Sequence, residues 1–350
     1  MKNITNFNIE KLKAFDDHKL IVLLKDPSCG LNGFITIHRG SNSLPSFGAT
    51  RYWKYKSELE ALIDSLQLSK NMSYKSALAG LKYGGAKAVI IDSRRNNKKK
   101  LLKSYIGKVN SLGGTFITGA DVGIDDKDLE ILDSKSNFIV GKNSDPVKFT
   151  SLGLFFSIQT CLKQLFGDGN LEGKSFAIQG VGKTGTGILK LIYSFASKVY
   201  VSDLDAVRLK TVKKKYPKIR IVKPWDIYKK KVDVFSPCAM SNSITKDNVR
   251  MLRCKIIAGS ANNQLENAYV GLLLQNKGVL YAPDYVVNAG GLIAVVDEYE
   301  HKNFNQERVE KRIKNIQTTL QTIFDKHRKT KKPTNLISNK MAEKIFNNST

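Results

Sequence analysis

A glycine-rich turn stands between a strand and a helix near the middle of this 350-residue chain. The turn reads Gly180-Val181-Gly182-Lys183-Thr184-Gly185, directly after an apolar run at 175–179. A helical pattern follows, and about 20 residues further on a second apolar run ends at Asp203. This order of strand, GxGxxG, helix, strand and acid is the dinucleotide-binding fingerprint. It predicts a doubly wound α/β domain around a parallel sheet.

The glycines of this turn have separate physical roles. Gly180 permits the tight turn, Gly182 lets a pyrophosphate approach the backbone, and Gly185 allows the helix to pack closely on the strand. The helix N-terminus favours the phosphates. Asp203 is placed to accept hydrogen bonds from the adenosine ribose, with Asp205 as the competing acid. Because a carboxylate there repels a 2′-phosphate, the sequence favours NAD over NADP.

The length of the chain predicts two domains, since single cores seldom grow this large. Before the glycine-rich turn, apolar runs and helical patterns form a mixed α/β unit that ends near Val147. Beyond it, strands and helices alternate as in a doubly wound sheet. We therefore expect an N-terminal mixed α/β domain over residues 1–147 and a C-terminal Rossmann-type domain over residues 148–332.

Two lysines lie twelve residues apart on either side of a glycine pair. Lys75 falls in a helical pattern, and Lys87 follows Gly84-Gly85-Ala86 and leads into an apolar strand at 87–92. A loop this poor in side chains lets a ligand approach the backbone, and two ammonium groups suit a carboxylate. Each charge also lowers the pKa of the other amine toward the range useful in proton chemistry. Lysines taken singly are more often solvated surface residues.

The segments MSYK (72–75) and GGAK (84–87) closely resemble the glutamate/leucine/phenylalanine/valine dehydrogenase family, and the similarity continues in order along almost the whole chain. The resemblance implies that Lys75 holds the substrate α-carboxylate and that Lys87 is the catalytic lysine. It also implies that Asp121, in the run ADVG (120–123), is the catalytic aspartate, which exchanges protons with the substrate amino group. An isolated aspartate in such a turn is more often a turn or capping residue.

The resemblance further implies an N-terminal amino-acid dehydrogenase domain that binds substrate, carries the oligomer contacts and is completed by a C-terminal helix, 333–350. A homo-oligomer, a dimer or larger, is expected. The implied cofactor-binding residues are Gly180, Val181, Gly182, Lys183, Thr184, Gly185, Asp203, Thr150, Cys238, Ala239, Ala261, Asn262 and Asn263. The implied substrate-binding residues are Lys75, Gly48, Phe47, Gly119, Asn288, Leu292 and Val295.

The side-chain specificity is predicted to be hydrophobic. Phe47 and Val295 stand where glutamate-specific relatives carry a lysine and a serine, and an apolar pair cannot compensate a buried carboxylate. The residues Gly119 and Leu292 resemble those of the phenylalanine-type members. Because Gly119 lacks a methyl group, it is expected to open room for a ring, although the Phe47 side chain takes up part of that room. The predicted reaction is the NAD-dependent, reversible oxidative deamination of leucine, valine, isoleucine or phenylalanine to the 2-oxo acid, ammonia and NADH. An aromatic substrate such as tryptophan, in a specialised pathway, stays open.

The net charge of +26 is the unusual property of this composition. Basic clusters stand at 94–95, 98–100, 213–215, 229–231 and 327–332, without interleaved aromatic residues or a known nucleic-acid module. We interpret them as solvated surface and expect no specific nucleic-acid partner. A noncatalytic, polyanion-binding relative is the alternative.

Other features of the composition predict a cytoplasmic protein. Four scattered cysteines have no paired spacing with the histidines, which indicates reduced thiols and no metal site. The N-terminus lacks the apolar core of a secretory signal. No apolar run reaches the roughly 20 residues that span a bilayer, so no membrane association is expected.

Overall fold

The computed structural model describes residues 8–40, 43–93, 97–239, 241–301 and 304–347. The basic pair at 94–95 lies outside the described residues. The chain divides into two compact units. The first contains Met1–Ser144, Glu298–Phe304 and Ala342–Thr350, and the second contains Asp145–Asp297 and Asn305–Met341.

The first unit is built on a mixed six-stranded sheet in the order β1-β2-β5-β3-β6, with β4 also paired to β5. β1 pairs antiparallel with β2, and β2 pairs antiparallel with β5. Both β3 and β4 run parallel to β5. Its elements are β1 Leu20–Asp26, β2 Leu31–Arg39, β3 Ser46–Phe47, β4 Thr50–Trp53, α1 Glu58–Leu78, β5 Gly84–Ile91, α2 Lys98–Ser111, β6 Phe116–Ile117 and α3 Asp126–Asp133.

The two central strands of this sheet are buried on both faces because successive side chains point to opposite sides. Phe34 and Val89 pack into a cluster with Leu62 and Leu66 of α1. Their neighbours Ile35 and Ala88 pack into a second cluster with residues of α2. Helices therefore cover the sheet on each side, in an α/β/α arrangement.

The glycine pair before Lys87 differs from its predicted structure. Gly84 and Gly85 are the first residues of β5, not a loop open to ligand. A Cβ at Gly85 would lie 1.9 Å from the backbone N of Ser73 in α1, and one at Gly84 would lie 2.1 Å from the carbonyl O of Arg39. The glycines are thus needed because α1 and β2 approach the start of β5 closely. α1 continues as one helix through Lys75, as the helical pattern around this residue predicts.

The second unit contains a six-stranded sheet in the order β12-β11-β10-β7-β8-β9, in which every pair is parallel. Its strands are β7 Ser175–Gln179, β8 Lys198–Ser202, β9 Arg220–Ile221, β10 Lys231–Pro237, β11 Arg253–Ile257 and β12 Leu280–Tyr281. Its helices include α4 Pro146–Phe166, α5 Lys183–Ile192, α6 Ala206–Lys215, α7 Ala268–Asn276, α8 Asp284–Val287 and α10 Gln306–Thr330. Because the strand order reverses at β7, the turn that follows this strand lies at a topological switch point.

Two helices are shared between the units. α9 Gly290–Glu300 passes from the second unit to the first after Asp297, and α11 Thr334–Asn347 does so after Met341. The start of α11 belongs to the second unit because Thr334 Oγ1 donates to Tyr281 O at 2.7 Å. Its end belongs to the first unit, where Glu343 Oε1 accepts from Tyr74 OH at 2.8 Å. The helix expected at 333–350 to complete the N-terminal domain therefore contributes to both units.

The predicted two-domain α/β class, with a Rossmann-type second domain, is confirmed. In the described ranges, no helix combines the length and the apolar character that crossing a bilayer requires.

Candidate active site

Lys87 and Asp121, predicted separately from two motifs, form one ion pair. Lys87 Nζ lies 2.5 Å from Asp121 Oδ2, and the two side chains are 5% and 17% exposed. Lys87 is in the middle of β5, and Asp121 follows β6. The backbone N–H of Asp121 donates to Thr50 O at 3.1 Å, which fixes the acid to the start of the neighbouring strand β4.

Thr50 anchors this part of the sheet through its hydroxyl as well. Its Oγ1 lies 2.5 Å from Tyr105 OH and 2.8 Å from Thr118 Oγ1, and all three side chains are buried. A buried polar cluster of this kind is stable only when its members are paired. It therefore holds the backbone of β4 and the turn that carries Asp121 in a defined position.

Arg51 is a site residue that the sequence interpretation missed. Its Nε lies 3.1 Å from Asp121 Oδ2, and its Nη1 lies 3.0 Å from Asp64 Oδ2, while the side chain is 14% exposed. Tyr55 OH donates to the same Asp64 oxygen at 2.6 Å. The available signal was the position of Arg51 at the end of the run Phe47-Gly48-Ala49-Thr50-Arg51, four residues after a predicted substrate contact.

The electrostatics of the pair follow from burial and from these neighbours. Burial alone would raise the pKa of Asp121, but the charges of Lys87 and Arg51 outweigh it and hold the pKa well below its usual range. Burial lowers the pKa of Lys87, and Arg51 lowers it further, against the opposing attraction of Asp121. The arrangement thus combines a persistent carboxylate with an amine whose neutral form is accessible.

Lys75 lies near the end of α1 and is 9% exposed. The turn of α1 that precedes it packs directly on β5, since Met72 and Ser73 lie against Gly85. Ser73 Oγ accepts from Gly85 N at 3.2 Å, and Ser76 Oγ donates to Tyr83 O at 2.6 Å. The helix that carries Lys75 is therefore fastened to the strand that carries Lys87.

Phe47 lies in an aromatic cluster in the first unit. Its ring is 2% exposed and meets the rings of Tyr83 and Tyr299 edge-on, with centroid distances of 4.9 and 5.3 Å. The two tyrosine rings are 6.0 Å apart. Edge-to-face contacts at these distances are favourable, so the three rings hold one another in place. Tyr83 and Tyr299 were not among the predicted site residues.

The two predicted substrate glycines are explained by backbone contacts. A Cβ at Gly48 would lie 1.7 Å from Ala86 O, and one at Gly119 would lie 2.6 Å from Val140 O. The expectation that Gly119 opens room for a ring is therefore wrong, because the Val140 carbonyl already fills the space that a methyl would take. Both glycines serve the close packing of strands around Lys87 and Asp121.

In the second unit, the glycine-rich turn has the expected geometry. Gly180 has φ +88°, and Gly185 has no room for a Cβ, which would lie 2.0 Å from Gly180 O. A Cβ at Gly182, in contrast, would meet nothing within 4 Å. Gly182 is the N-cap of α5, whose first residues are Lys183 and Thr184. The turn thus presents open backbone at the start of a helix, as phosphate binding requires.

Asp203 braces this turn. Its Oδ2 accepts from Val181 N at 2.8 Å and its Oδ1 from Asp205 N at 3.0 Å, while Arg208 Nη1 lies 3.3 Å from both oxygens. Burial raises its pKa, but these partners outweigh that effect and lower it. The competing Asp205 instead caps α6 through Arg208 N. Asp203, and not Asp205, is therefore the acid that contacts the glycine-rich turn.

Other predicted cofactor residues converge on the same edge of the sheet. A Cβ at Gly180 would lie 2.7 Å from Ala239 Cβ, and one at Gly185 would lie 3.3 Å from Cys238 Cβ. Thr184 Oγ1 accepts from Ser260 Oγ at 2.9 Å. Thr150 lies in the first turns of α4, where its Oγ1 donates to Pro146 O at 2.7 Å. The next residue, Ser151, places its Oγ 3.4 Å from Thr184 O.

Asn288 is 3% exposed and lies against the loop Ala261-Asn262-Asn263. Its Nδ2 donates to Ser260 O at 3.2 Å and to Asn262 Oδ1 at 2.9 Å. Its Oδ1 is buried and has no hydrogen-bond partner in the described part of the chain. A buried acceptor of this kind calls for a donor, which a bound amide or amine supplies. The predicted role of Asn288 near the substrate stays a prediction.

Leu292 and Val295 belong to the part of α9 that lies in the second unit, whereas Phe47 lies in the first. Leu292 is buried and Val295 is half-buried. Their predicted contact with a substrate side chain stays a prediction.

Two family models match the chain. Residues 20–137 match the Glu/Leu/Phe/Val dehydrogenase dimerisation domain. Residues 202–345 match the glutamate/leucine/phenylalanine/valine dehydrogenase model. The first range covers Lys75, Lys87 and Asp121, and the second begins one residue before Asp203.

Similar proteins extend over nearly the whole chain. Leucine dehydrogenase from Thermoactinomyces intermedius is 35% identical over 344 residues, which cover 95% of this chain and 93% of that protein. L-tryptophan dehydrogenase from Nostoc punctiforme is 37% identical over 336 residues, covering 95% and 94%. Its crystal structure superposes with a TM-score of 0.78 and 36% identity, covering 95% of this chain and 96% of that chain. Phenylalanine dehydrogenase from Lysinibacillus sphaericus is 37% identical over 329 residues, covering 91% and 86%.

Proposed function

Because the chain belongs to the glutamate/leucine/phenylalanine/valine dehydrogenase family, we propose that it catalyses the NAD-dependent, reversible oxidative deamination of a hydrophobic L-amino acid. The family predicted from the sequence is confirmed, and it makes the protein an oxidoreductase that acts on the CH–NH2 group of amino acids. The observation that carries the proposal is the buried Lys87–Asp121 pair.

The chemistry needs one base and one persistent anion. Loss of a hydride from the α-carbon of the unprotonated amine leaves an iminium, to which water adds as one of its protons passes to Lys87. Lys87 then returns this proton to the nitrogen and takes the hydroxyl proton as ammonia departs, which leaves the 2-oxo acid. The glycine-rich turn and Asp203 would hold NAD, whose nicotinamide would accept the hydride. We assign the α-carboxylate to Lys75, whose ammonium is its natural partner. Asp121 accepts hydrogen bonds from the substrate amino group and, as a persistent carboxylate, stabilises the positive charge of the iminium. The proton exchange that the resemblance implies for it stays a prediction.

Lys87 is the base for the water step. Its burial favours the neutral amine, which takes a proton from water as the oxygen attacks the iminium carbon. The resulting ammonium stands beside Asp121, which stabilises it electrostatically. Arg51 acts through Asp121 as a positioning residue, because its guanidinium stays charged and keeps the carboxylate ionised and oriented.

The aromatic cluster supports a hydrophobic substrate. Phe47 is buried between Tyr83 and Tyr299, and no cation of the kind that pairs with a glutamate side chain replaces it at this position. The relatives named leucine, tryptophan and phenylalanine dehydrogenase support the same class. An aromatic amino acid such as tryptophan is the second candidate, because the L-tryptophan dehydrogenase of Nostoc punctiforme is 37% identical.

NAD is preferred over NADP because Asp203 places a carboxylate at the end of β8. Arg208 opposes this preference, since its guanidinium pairs with both Asp203 oxygens. Comparing turnover with the two cofactors settles the choice, and at least a tenfold advantage for NAD, about 1.4 kcal/mol, is expected.

We also propose a homo-oligomeric, cytoplasmic protein. The match of residues 20–137 to a dimerisation domain supports the oligomer. The four cysteines are free and buried, in keeping with a reducing compartment. Substrate binding and oligomer contacts are assigned mainly to residues 1–147 with the end of α11, which belongs to the first unit after Met341, and cofactor binding to residues 148–332.

The experiment that tests the proposal follows NADH formation with each hydrophobic L-amino acid and with glutamate. Turnover with at least one hydrophobic amino acid and none with glutamate is expected. Replacing Phe47→Leu should then raise kcat/KM for phenylalanine or tryptophan relative to leucine by about tenfold, because the pocket is enlarged. Phe195→Leu, at an exposed ring, is the matched control and should leave the ratio unchanged. An unchanged ratio in Phe47→Leu would show that Phe47 does not determine the substrate specificity.

A further inference from the structure

Basic residues stand at the starts of the strands in the parallel sheet. β8, β9, β10 and β11 begin with Lys198, Arg220, Lys231 and Arg253, and Lys174 immediately precedes β7. Parallel strands begin at the same edge of a sheet, so these side chains share one edge. We name it the amino edge and define it as Lys174, Lys198, Arg220, Lys231, Arg253 and Lys255.

The strand register places these residues in a row. Lys231 pairs with Arg253, and Lys198 pairs with Ser175, the residue after Lys174. Arg220 pairs with Tyr200, two residues after Lys198. The five strands are adjacent in the order β11-β10-β7-β8-β9. With neighbouring strands about 4.8 Å apart, the row is about 19 Å long.

The charge of this row is largely uncompensated. Lys198, Arg220, Lys231 and Arg253 are exposed, and the Lys255 side chain is 62% exposed. Within the described ranges, the ion pair recorded for these six side chains joins Lys255 Nζ to Asp233 Oδ1 at 4.0 Å. The other oxygen of Asp233 accepts from Ser175 N at 2.9 Å. The row therefore presents a positive line to solvent.

Aromatic rings hold several of these cations in place. Lys174 Nζ and Lys255 Nζ lie 4.4 and 4.8 Å from the centroid of the Phe166 ring. Arg220 lies 6.0 Å from the Tyr200 ring. These contacts join residues that are distant in sequence, so they are not visible in the basic clusters of the sequence itself. Cation–π contacts reduce the freedom of long side chains and so the entropy lost when they bind a ligand.

The amino edge lies opposite the cofactor residues. Gly180, Asp203 and Cys238 each follow the carboxyl end of a strand in the same sheet, β7, β8 and β10. Because the strands are parallel, a ligand on the amino edge leaves the glycine-rich turn accessible. The proposed catalysis uses none of the six basic residues, so they need another explanation.

We propose that the amino edge binds the phosphate backbone of single-stranded nucleic acid without sequence specificity. A narrow line of cations follows one strand of phosphates, and such binding is driven by the release of counterions. A membrane surface is the alternative polyanion, and the vesicles in the test distinguish it from RNA. The rings of Phe166 and Tyr200 lie beneath cations, where they cannot insert into a bilayer.

The test compares two variants that each lose four positive charges. The edge variant carries Lys198→Gln, Arg220→Gln, Lys231→Gln and Arg253→Gln. The control variant carries Lys311→Gln, Lys314→Gln, Lys326→Gln and Lys329→Gln, all at exposed positions of α10. Fluorescence anisotropy follows the binding of a labelled oligouridylate of about 20 nucleotides at increasing KCl.

The edge variant should bind at least about tenfold more weakly than the parent at about 100 mM KCl, and its salt slope should fall by about two to three, at 0.7 per lost phosphate contact. The control should stay within about threefold of the parent. Thermal midpoints and NADH binding equal to the parent's establish that both variants are folded. The proposal is overturned if both variants weaken equally, if the parent does not bind the RNA, or if vesicles containing phosphatidylserine bind at this edge and RNA does not. These outcomes do not depend on the proposed dehydrogenase activity.

Discussion

Arg51 and Lys87 contact the same oxygen of Asp121, with Arg51 Nε at 3.1 Å and Lys87 Nζ at 2.5 Å from Oδ2. Two cations on one carboxylate oxygen keep Asp121 ionised. They also repel each other, so the proton on Lys87 is held less tightly than on a lysine that faces a carboxylate alone. Arg51 thereby biases the pair toward a neutral amine beside a charged acid.

Replacing Arg51→Gln should shift the pH dependence of deamination upward. Loss of the guanidinium removes a charge that lowers the pKa of Lys87, so the neutral amine appears at higher pH. The rate near neutral pH should fall by about tenfold or more and recover in part as the pH is raised. The measurement is kcat against pH, together with the titration of the Lys87 Cε resonance by NMR.

Tyr55→Phe is the matched control for Arg51→Gln. It removes the hydrogen bond to Asp64 but leaves the Arg51–Asp121 contact in place, so its pH profile should be that of the parent. If Arg51→Gln is slower than the parent but has the same pH profile and the same Lys87 titration, Arg51 has only a structural role.

Alanine substitutions at two glycines of the dinucleotide turn should affect cofactor binding and protein stability separately. A Cβ at Gly182 meets open space, so Gly182→Ala should keep the thermal stability of the parent and weaken NADH binding by at least about tenfold, since a methyl obstructs the pyrophosphate. A Cβ at Gly185 would lie 2.0 Å from Gly180 O, so Gly185→Ala should lower the melting temperature. Equal losses of stability in both variants would contradict this division.

Acid should destabilise the first unit through His38. This side chain is fully buried, and its Nε2 lies 2.9 Å from Asp16 Oδ2. Burial lowers the pKa of His38 to about 4 from 6.5, although Asp16 opposes the shift. The unfolded chain therefore takes up this proton first, and the free energy of unfolding falls as the pH drops from about 6.5 to about 4, by up to about 3 kcal/mol.

Urea unfolding of the parent and of His38→Gln at the two ends of this pH range measures the effect. The parent should lose more stability than the variant, because glutamine does not titrate. Asp16 acts in a separate window: burial raises its pKa, but His38 and Lys70 lower it to about 2, so its contribution is lost only below about pH 4. Equal pH dependence in the two proteins would mean that His38 is not the group that titrates.

Local sequence patterns predicted the second unit well because each role there belongs to a short segment. The glycine-rich turn, its preceding strand and Asp203 are all within about 30 residues, which is the span of one βαβ unit. The structure adds that Asp203 contacts the turn itself, through Val181 N. A contact between residues on two strands depends on how the strands pair, and no local pattern encodes it.

The first unit was harder to predict because its site is assembled from distant segments. Arg51, Lys87 and Asp121 come from β4, β5 and the turn after β6, and the parallel pairing of short strands brings them together. The same packing explains why Gly84 and Gly85 were misread as a loop and why Gly119 was misread as open space. In each case the sequence shows the glycine but not the backbone atom that leaves no room for a side chain there.

The central claim is that the Lys87–Asp121 pair performs amino acid deamination. The most direct measurement is kcat for the preferred hydrophobic L-amino acid in the parent, in Lys87→Ala and in Asp121→Asn, with NADH binding measured in all three. The account predicts that each variant loses about 10²- to 10⁴-fold in kcat while NADH binding is retained, because the cofactor residues belong to the second unit. Turnover by Lys87→Ala at the rate of the parent would contradict it.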